Sequence, residues 1–294
     1  MAKSIPCEYC GHDVPLSADR CPHCARHCFF PNVRAAEDPA ENEALERRYR
    51  SAKRNAAARG AETALDNFEA DVMNSKAVIT RSINEVERLA SSDNELYAAY
   101  YRLIDAGVRL PDGGEWDVLR VLTDDVLFSG YREEIRFGAL SLNGIGLFNY
   151  GECSIVLRTD MIAHRASVFE ENTVMFMVRK GILSMIRSIA RKGIKEDAPS
   201  LPRGYRATWE NRGKLCIAKL SDSIDTATKA DEYSDLLLKQ GATSEEDKFV
   251  EVHIFGPMTV RTIERVVFDL HKKTASRARI KALEEKLKKA GVTF

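Results

Sequence analysis

Four cysteines in two matched pairs near the start of the chain leave little choice about how that segment folds. Two residues separate Cys7 from Cys10 and two separate Cys21 from Cys24, with ten residues between the pairs. Each pair can close a tight turn that aims both thiolates at one ion, and two such turns complete a tetrahedral four-sulfur shell. Gly11, just past the first turn, supplies a permissive backbone where one is needed. The segment is too small to build a core, so metal binding would supply its folding free energy. Residues 1–30 are therefore expected to form a zinc ribbon with Cys7, Cys10, Cys21 and Cys24 as ligands to Zn2+. His12, His23, His27 and Cys28 are the rival ligands by proximity. A closed four-cysteine shell has no open position for substrate, so this zinc is expected to be structural.

Of the seven cysteines, five fall in the first 28 residues, and Cys153 and Cys216 stand alone. That clustering suits a metal site in a reducing compartment better than a disulfide framework, and a cytoplasmic location is expected. No apolar run approaches the length that spans a bilayer, and no secretory leader is visible. Basic and acidic residues balance at 44 each, so any binding to nucleic acid or to an acidic surface must come from a local patch.

Pro31-Asn32 and Asp38-Pro39 mark a connector after the ribbon. Residues 41–90 then contain no proline, and Gly60 is the single glycine. Leu65, Phe68, Val72, Ile79, Ile83, Val86 and Leu89 recur at three- and four-residue steps, which predicts one long helix with an apolar stripe. Such a helix would be roughly 75 Å long at 1.5 Å per residue. Its stripe needs cover, from the chain's own core or from a second copy in a homodimer. Residues 47–59 carry six basic side chains and no acidic one, either a phosphate-contacting strip beside the ribbon or a solvated helix face. A basic amphipathic helix is predicted over 271–290, capped by Gly291.

From residue 117 the pattern becomes strand-rich. Apolar runs at 118–122, 126–128, 135–142, 154–157, 174–178, 215–218 and 249–255 are expected as strands, with a helix over 182–191. The fold class is α+β, with a ribbon over 1–30, a helical region over 31–116, and a mixed domain with a terminal helix over 117–294.

The mixed segment carries a set of short motifs in order. Arg136-Phe-Gly-Ala-Leu-Ser-Leu142 leads to Tyr150-Gly-Glu-Cys-Ser-Ile-Val-Leu-Arg158; Arg165-Ala-Ser-Val-Phe169 and then Phe249-Val-Glu-Val-His-Ile-Phe-Gly-Pro257 follow. This order resembles toxin-type bacterial domains of the ADP-ribosyltransferase superfamily over about residues 117–268. The resemblance implies a reaction on NAD. By motif position Glu251 would be the catalytic carboxylate, stabilising an oxocarbenium-like ribose as nicotinamide leaves. Arg165 and Ser167 would hold NAD, and Tyr150 would stack on the nicotinamide ring. Three arginines, Arg120, Arg132 and Arg136, compete for the cation such domains carry on their first core strand. The position two before Glu251 holds Phe249, where many transferases carry Glu or Gln, and no Ser-Thr-Ser triplet is present. The resemblance therefore implies NAD cleavage, as transfer to a macromolecular target or as hydrolysis. Glu251 and His253 also share a face of any strand there and could form a hydrogen-bonded pair. The competing reading is a non-catalytic binding module, in which the ribbon and the basic helix contact nucleic acid or protein.

Overall fold

A computed structural model describes residues 4–7, 9–15, 18, 20–28, 30–97, 101, 115–186, 201–269 and 276–294. The ribbon carries a two-stranded antiparallel hairpin, β1 (Ser4–Pro6) and β2 (Asp13–Pro15). Three helices follow: α1 (Pro31–Glu37), α2 (Pro39–Ala58) and α3 (Glu62–Val72). Asp38 caps α2 through its carboxylate, which accepts from the Ala40 and Glu41 amides at 2.9 and 3.2 Å. Next come β3 (Lys76–Arg81), α4 (Ile83–Leu89), α5 (Glu115–Leu127), β4 (Ile135–Ser141), β5 (Cys153–Leu157), α6 (Thr159–Ile162), β6 (Ala166–Phe169) and α7 (Thr173–Arg179). The described chain closes with β7 (Arg206–Thr208), α8 (Arg212–Leu220), α9 (Tyr233–Leu237), β8 (Leu238–Lys239), β9 (Lys248–Phe249), β10 (Glu251–Phe255), β11 (Ile263–Phe268) and α10 (Arg277–Lys289).

Seven of these strands make one sheet in the order β11-β5-β3-β4-β10-β6-β7, with every neighbouring pair antiparallel. Alternation along β10 sorts its side chains between two faces. Val252 and Ile254 join Leu140, Ile155 and Val168 in a core that also takes Leu45, Phe68 and Leu215 from α2, α3 and α8. On the opposite face, Leu127 of α5, Phe128 just after it, and Phe176 and Met177 of α7 pack with Phe169 and Phe137. An α+β architecture therefore holds, with helices on both faces of an antiparallel sheet.

Several expected elements differ. The single helix over 41–90 does not form. A break at Gly60 (φ +73°) ends α2, and β3 occupies 76–81. Val78, Ile79 and Thr80 are β-branched, and this run lies at the middle of the sheet, buried on both faces. Ile79 falls by chance on the helical period of Ile83, Val86 and Leu89, which hid the strand. A strand from the 31–116 segment thus sits between β5 and β4 of the segment that follows it. The stripe is covered from within: Leu65, Phe68, Val72, Ile79, Ile83, Val86 and Leu89 all lie in the chain's own core.

Four other runs expected as strands fall in three helices. Residues 118–122 lie in α5, which ends at Leu127 within the 126–128 run; residues 174–178 lie in α7 with Asn172 capping it, and residues 215–218 lie inside α8. Short apolar runs carry no period of their own, and tertiary packing decided them. The helix expected over 182–191 passes outside the described residues beyond 186, and the start of the 271–290 helix lies outside them before 276. Among the described residues no helix is long and apolar enough to cross a membrane.

Candidate functional site

The cysteine turns repeat one backbone pattern. The Gly11 amide donates to Cys7 O at 2.8 Å, and the Ala25 amide donates to Cys21 O at 2.9 Å. Cys7 N then donates to His12 O, and Cys21 N to Arg26 O, at 2.8 and 2.9 Å. The residue after each turn is left-handed, with Gly11 at φ +72° and Ala25 at φ +56°. Together the two turns bring the four Sγ atoms of Cys7, Cys10, Cys21 and Cys24 within 4.8 Å of one another. Cys7 and Cys24 approach to 3.8 Å and Cys10 and Cys21 to 3.5 Å. A tetrahedral ion with bonds of about 2.3 Å to sulfur sets its ligands about 3.8 Å apart, so the four thiolates fit such an ion. Among the described residues the rival ligands do not join this group. His12 stacks on His23 with ring centres 3.5 Å apart, and Cys28 turns to the Arg26 carbonyl.

The ribbon is tied to the rest of the chain through α1. Arg34 donates to Pro15 O at 2.8 Å and to Ala18 O at 2.5 Å. Asn32, two residues earlier, donates its amide to Arg165 O, Ser167 Oγ and His253 O at 3.1, 3.2 and 2.9 Å.

The sheet face under α5 contains a cavity of about 190 Å³. Val78, Phe137, Leu147 and Phe249 are among its apolar walls; Glu251, Arg120, Asp117 and Arg81 supply charge, and Tyr150 and Trp116 also line it. Glu251 is buried, at 3% exposure. Its Oε2 accepts from the Thr173 amide at 3.0 Å and lies 3.1 Å from His253 Nε2, while Oε1 lies 3.4 Å from Arg120 Nη1. Burial pushes the Glu251 carboxyl up, but Arg120 and then His253 outweigh it and hold the group at about 2.

Arg120 is itself fixed. Asp124, four residues on along α5, accepts from Nε at 2.9 Å and from Nη2 at 2.6 Å, and the guanidinium lies 3.8 Å from the centre of the Phe137 ring. Tyr101 donates its hydroxyl to the same Asp124 at 2.6 Å. His253 is caged by Phe128, Phe137 and Phe169, with ring centres 4.8, 5.6 and 6.2 Å away. The site is thus a carboxylate kept ionised in a small aromatic-lined chamber.

The structure brings Glu251 and Tyr150 to this cavity; Tyr150 sits at 41% exposure. It does not bring Arg165 or Ser167. Arg165 donates to Met161 O, Phe255 O and Pro257 O, fixing the end of β10, and Ser167 accepts from Asn32 beneath α1. Of the three competing arginines, Arg120 lines the cavity. Arg132 pairs with Asp125, and Arg136 stands opposite Ile254 in the register, facing away from Glu251. Asp124 and Tyr101 escaped sequence reasoning. The four-residue step from Arg120 to Asp124 signals such a pair only once the segment is seen to be a helix.

The basic strip is largely paired. Arg47, Arg48, Arg50 and Arg59 bind Glu43, Glu170, Glu46 and Asp222, and Lys53 binds Asp66 and Glu69. Compared with known proteins, the chain matches no family model and no curated protein.

Proposed function

We propose that the cavity cleaves NAD at the bond between nicotinamide and ribose, in the manner of an ADP-ribosyltransferase, and that the ribbon holds a structural zinc. The observation that carries this reading is Glu251, a carboxylate held well below its ordinary range and buried in the wall of a cavity of about 190 Å³. Negative charge fixed beside a developing ribosyl cation lowers the barrier, because it costs no reorganisation when the bond breaks. The glycosidic bond breaks with its electron pair going to the pyridinium nitrogen, which becomes neutral nicotinamide. Water or an acceptor nucleophile then attacks the ribose carbon and releases a proton. Tyr150 at the mouth would stack on the departing ring, and Arg120 is the guanidinium placed beside it. The binding-module reading has less behind it, since Arg47, Arg48, Arg50, Lys53 and Arg59 are already neutralised.

The test is nicotinamide release from NAD by the purified protein, wild type beside Glu251→Gln, with and without cell extract as acceptor. Release by the wild type and a loss of about 100-fold or more in the variant are expected. A requirement for extract would mark transfer rather than hydrolysis. No release under any condition, with no thermal shift from NAD, would overturn the reading.

A further inference from the structure

The ribbon and the cavity are joined by a short line of hydrogen bonds. Two ribbon carbonyls, Pro15 O and Ala18 O, receive the Arg34 guanidinium. Two residues back on the same helix, Asn32 is 2% exposed and donates its amide to three groups of the sheet. One of these is the carbonyl of His253, the residue whose Nε2 meets Glu251 Oε2. Three phenyl rings fence the His253 imidazole, so its aim depends on where its backbone is held. Phe30, at the start of α1, adds an aromatic contact with Phe255 two residues further along β10, ring centres 5.3 Å apart.

We propose that Asn32 is a positioning residue through which the metal-loaded ribbon sets the geometry of the His253–Glu251 pair. Among the described residues the ribbon's own core is confined to its cysteines, Val14 and Ala18. Its folded form, and with it the two carbonyls that anchor Arg34, therefore depends on the metal. Loss of the metal releases Arg34, loosens α1 and frees the Asn32 amide from the His253 carbonyl. Coupling carried along such a contiguous hydrogen-bonded path requires that each link be separable by mutation. That this coupling governs turnover rests on the NAD-cleavage reading, but its detection needs no substrate.

The experiment follows the His253 ring by NMR in the full-length protein and the amides of 251–255 by hydrogen exchange. Each is recorded with zinc, after a chelator, and after zinc is restored. His253 is buried while His12, His23, His27 and His164 are exposed, and its signal is assigned by its loss in His253→Gln. Zinc removal should move the ring signal and speed exchange over 251–255 by about tenfold or more, and zinc should reverse both. In Asn32→Ala the signal should sit near the zinc-free position with or without metal. Arg34→Gln leaves Asn32 in place and should make the signal insensitive to zinc, which decides the matter if Asn32→Ala does not fold. The proposal is overturned if the chelator deprotects the ribbon amides while the His253 signal and exchange over 251–255 stay unchanged. A zinc-dependent signal without nicotinamide release would overturn only the NAD reading.

Discussion

Glu251 remains a carboxylate inside the protein because Arg120, the Thr173 amide and the His253 ring surround it, and that arrangement has a signature in stability as well as in chemistry. A folded-state value near 2 lies below the ordinary range of about 4.3, so the ionised group favours the folded state. The contribution is fully present above about pH 4.5 and is lost as the pH falls toward 2. At about 1.4 kcal/mol per pH unit it is on the order of 3 kcal/mol at neutral pH. Glu251→Gln should fold, because Arg120 keeps both bonds to Asp124. Urea unfolding should show the variant least stable relative to wild type at pH 7 and the gap closing between pH 4.5 and 2. A gap independent of pH would mean that Glu251 is not held ionised by its neighbours. A second residue tests the ribbon. Ala25 adopts φ +56° where the matching position in the other turn is Gly11, and a left-handed alanine costs roughly 1 kcal/mol. Ala25→Gly should therefore tighten zinc binding by up to about fivefold in a chelator competition, since a glycine there carries no such cost. Weaker binding in the variant would show that chain entropy outweighs the relief.

The elements meet at joints that tolerate little. At the joint between α2 and β7, Glu41 Oε1 accepts from the amides of Gly204, Tyr205 and Arg206 at 2.9, 3.2 and 3.3 Å, and Arg48 donates to Gly204 O. Gly204 has φ +83°, and a Cβ there would lie 2.8 Å from the backbone of Ala44 and Leu45. Gly204→Ala should cost at least about 2 kcal/mol and lower the melting temperature by several degrees, combining backbone strain with a clash against main chain. A melting point within a degree of wild type would show that α2 shifts freely against β7. None of this joint was legible in the sequence, because the partners of Glu41 and Gly204 lie more than 150 residues away. What was legible had local causes. The cysteine turns follow from spacing alone, and 135–142, 154–157 and 249–255 hold strands close to where their apolar runs begin. The stripe through Leu65, Phe68 and Val72 is a true helix face, but its extension through Ile79 crosses into β3, where burial on both sides removes the alternation that marks a strand. Val174–Val178 failed in the other direction, and the signal that corrects it is Asn172, whose Oδ1 accepts from the Val174 and Met175 amides. In the site, alternation along one strand placed Glu251 and His253 on one face, where they meet, whereas Glu251 itself was singled out only by its motif position. Arg120 stayed one of three because its role depends on α5 packing over β4.

At the scale of the whole chain, stability is distributed unevenly. The sheet and its two helical layers bury large apolar clusters on both faces. The ribbon holds a separate cluster of Cys7, Val14 and Cys21, with Cys10, Ala18, Cys24 and Cys28 packed around it. The apolar surface of the described residues there does not offset the chain entropy of some twenty residues, and a metal held by the four cysteines would supply the difference. The body does not need the ribbon in the same way. Asn32 and Phe30 grip the sheet from the body side of α1, while the ribbon side is joined by side-chain bonds from Arg34 to two carbonyls. Losing those bonds changes local geometry near His253 and leaves both large cores intact. Chelation should therefore abolish the ribbon's own protection against proteolysis while the main thermal transition shifts by only a few degrees. Limited proteolysis after chelation should cut within residues 1–30 and spare the rest, and added zinc should restore resistance. A single cooperative collapse of the whole chain on chelation would show instead that the ribbon is a keystone of the fold, with Arg34 carrying far more than two hydrogen bonds of ordinary strength would supply.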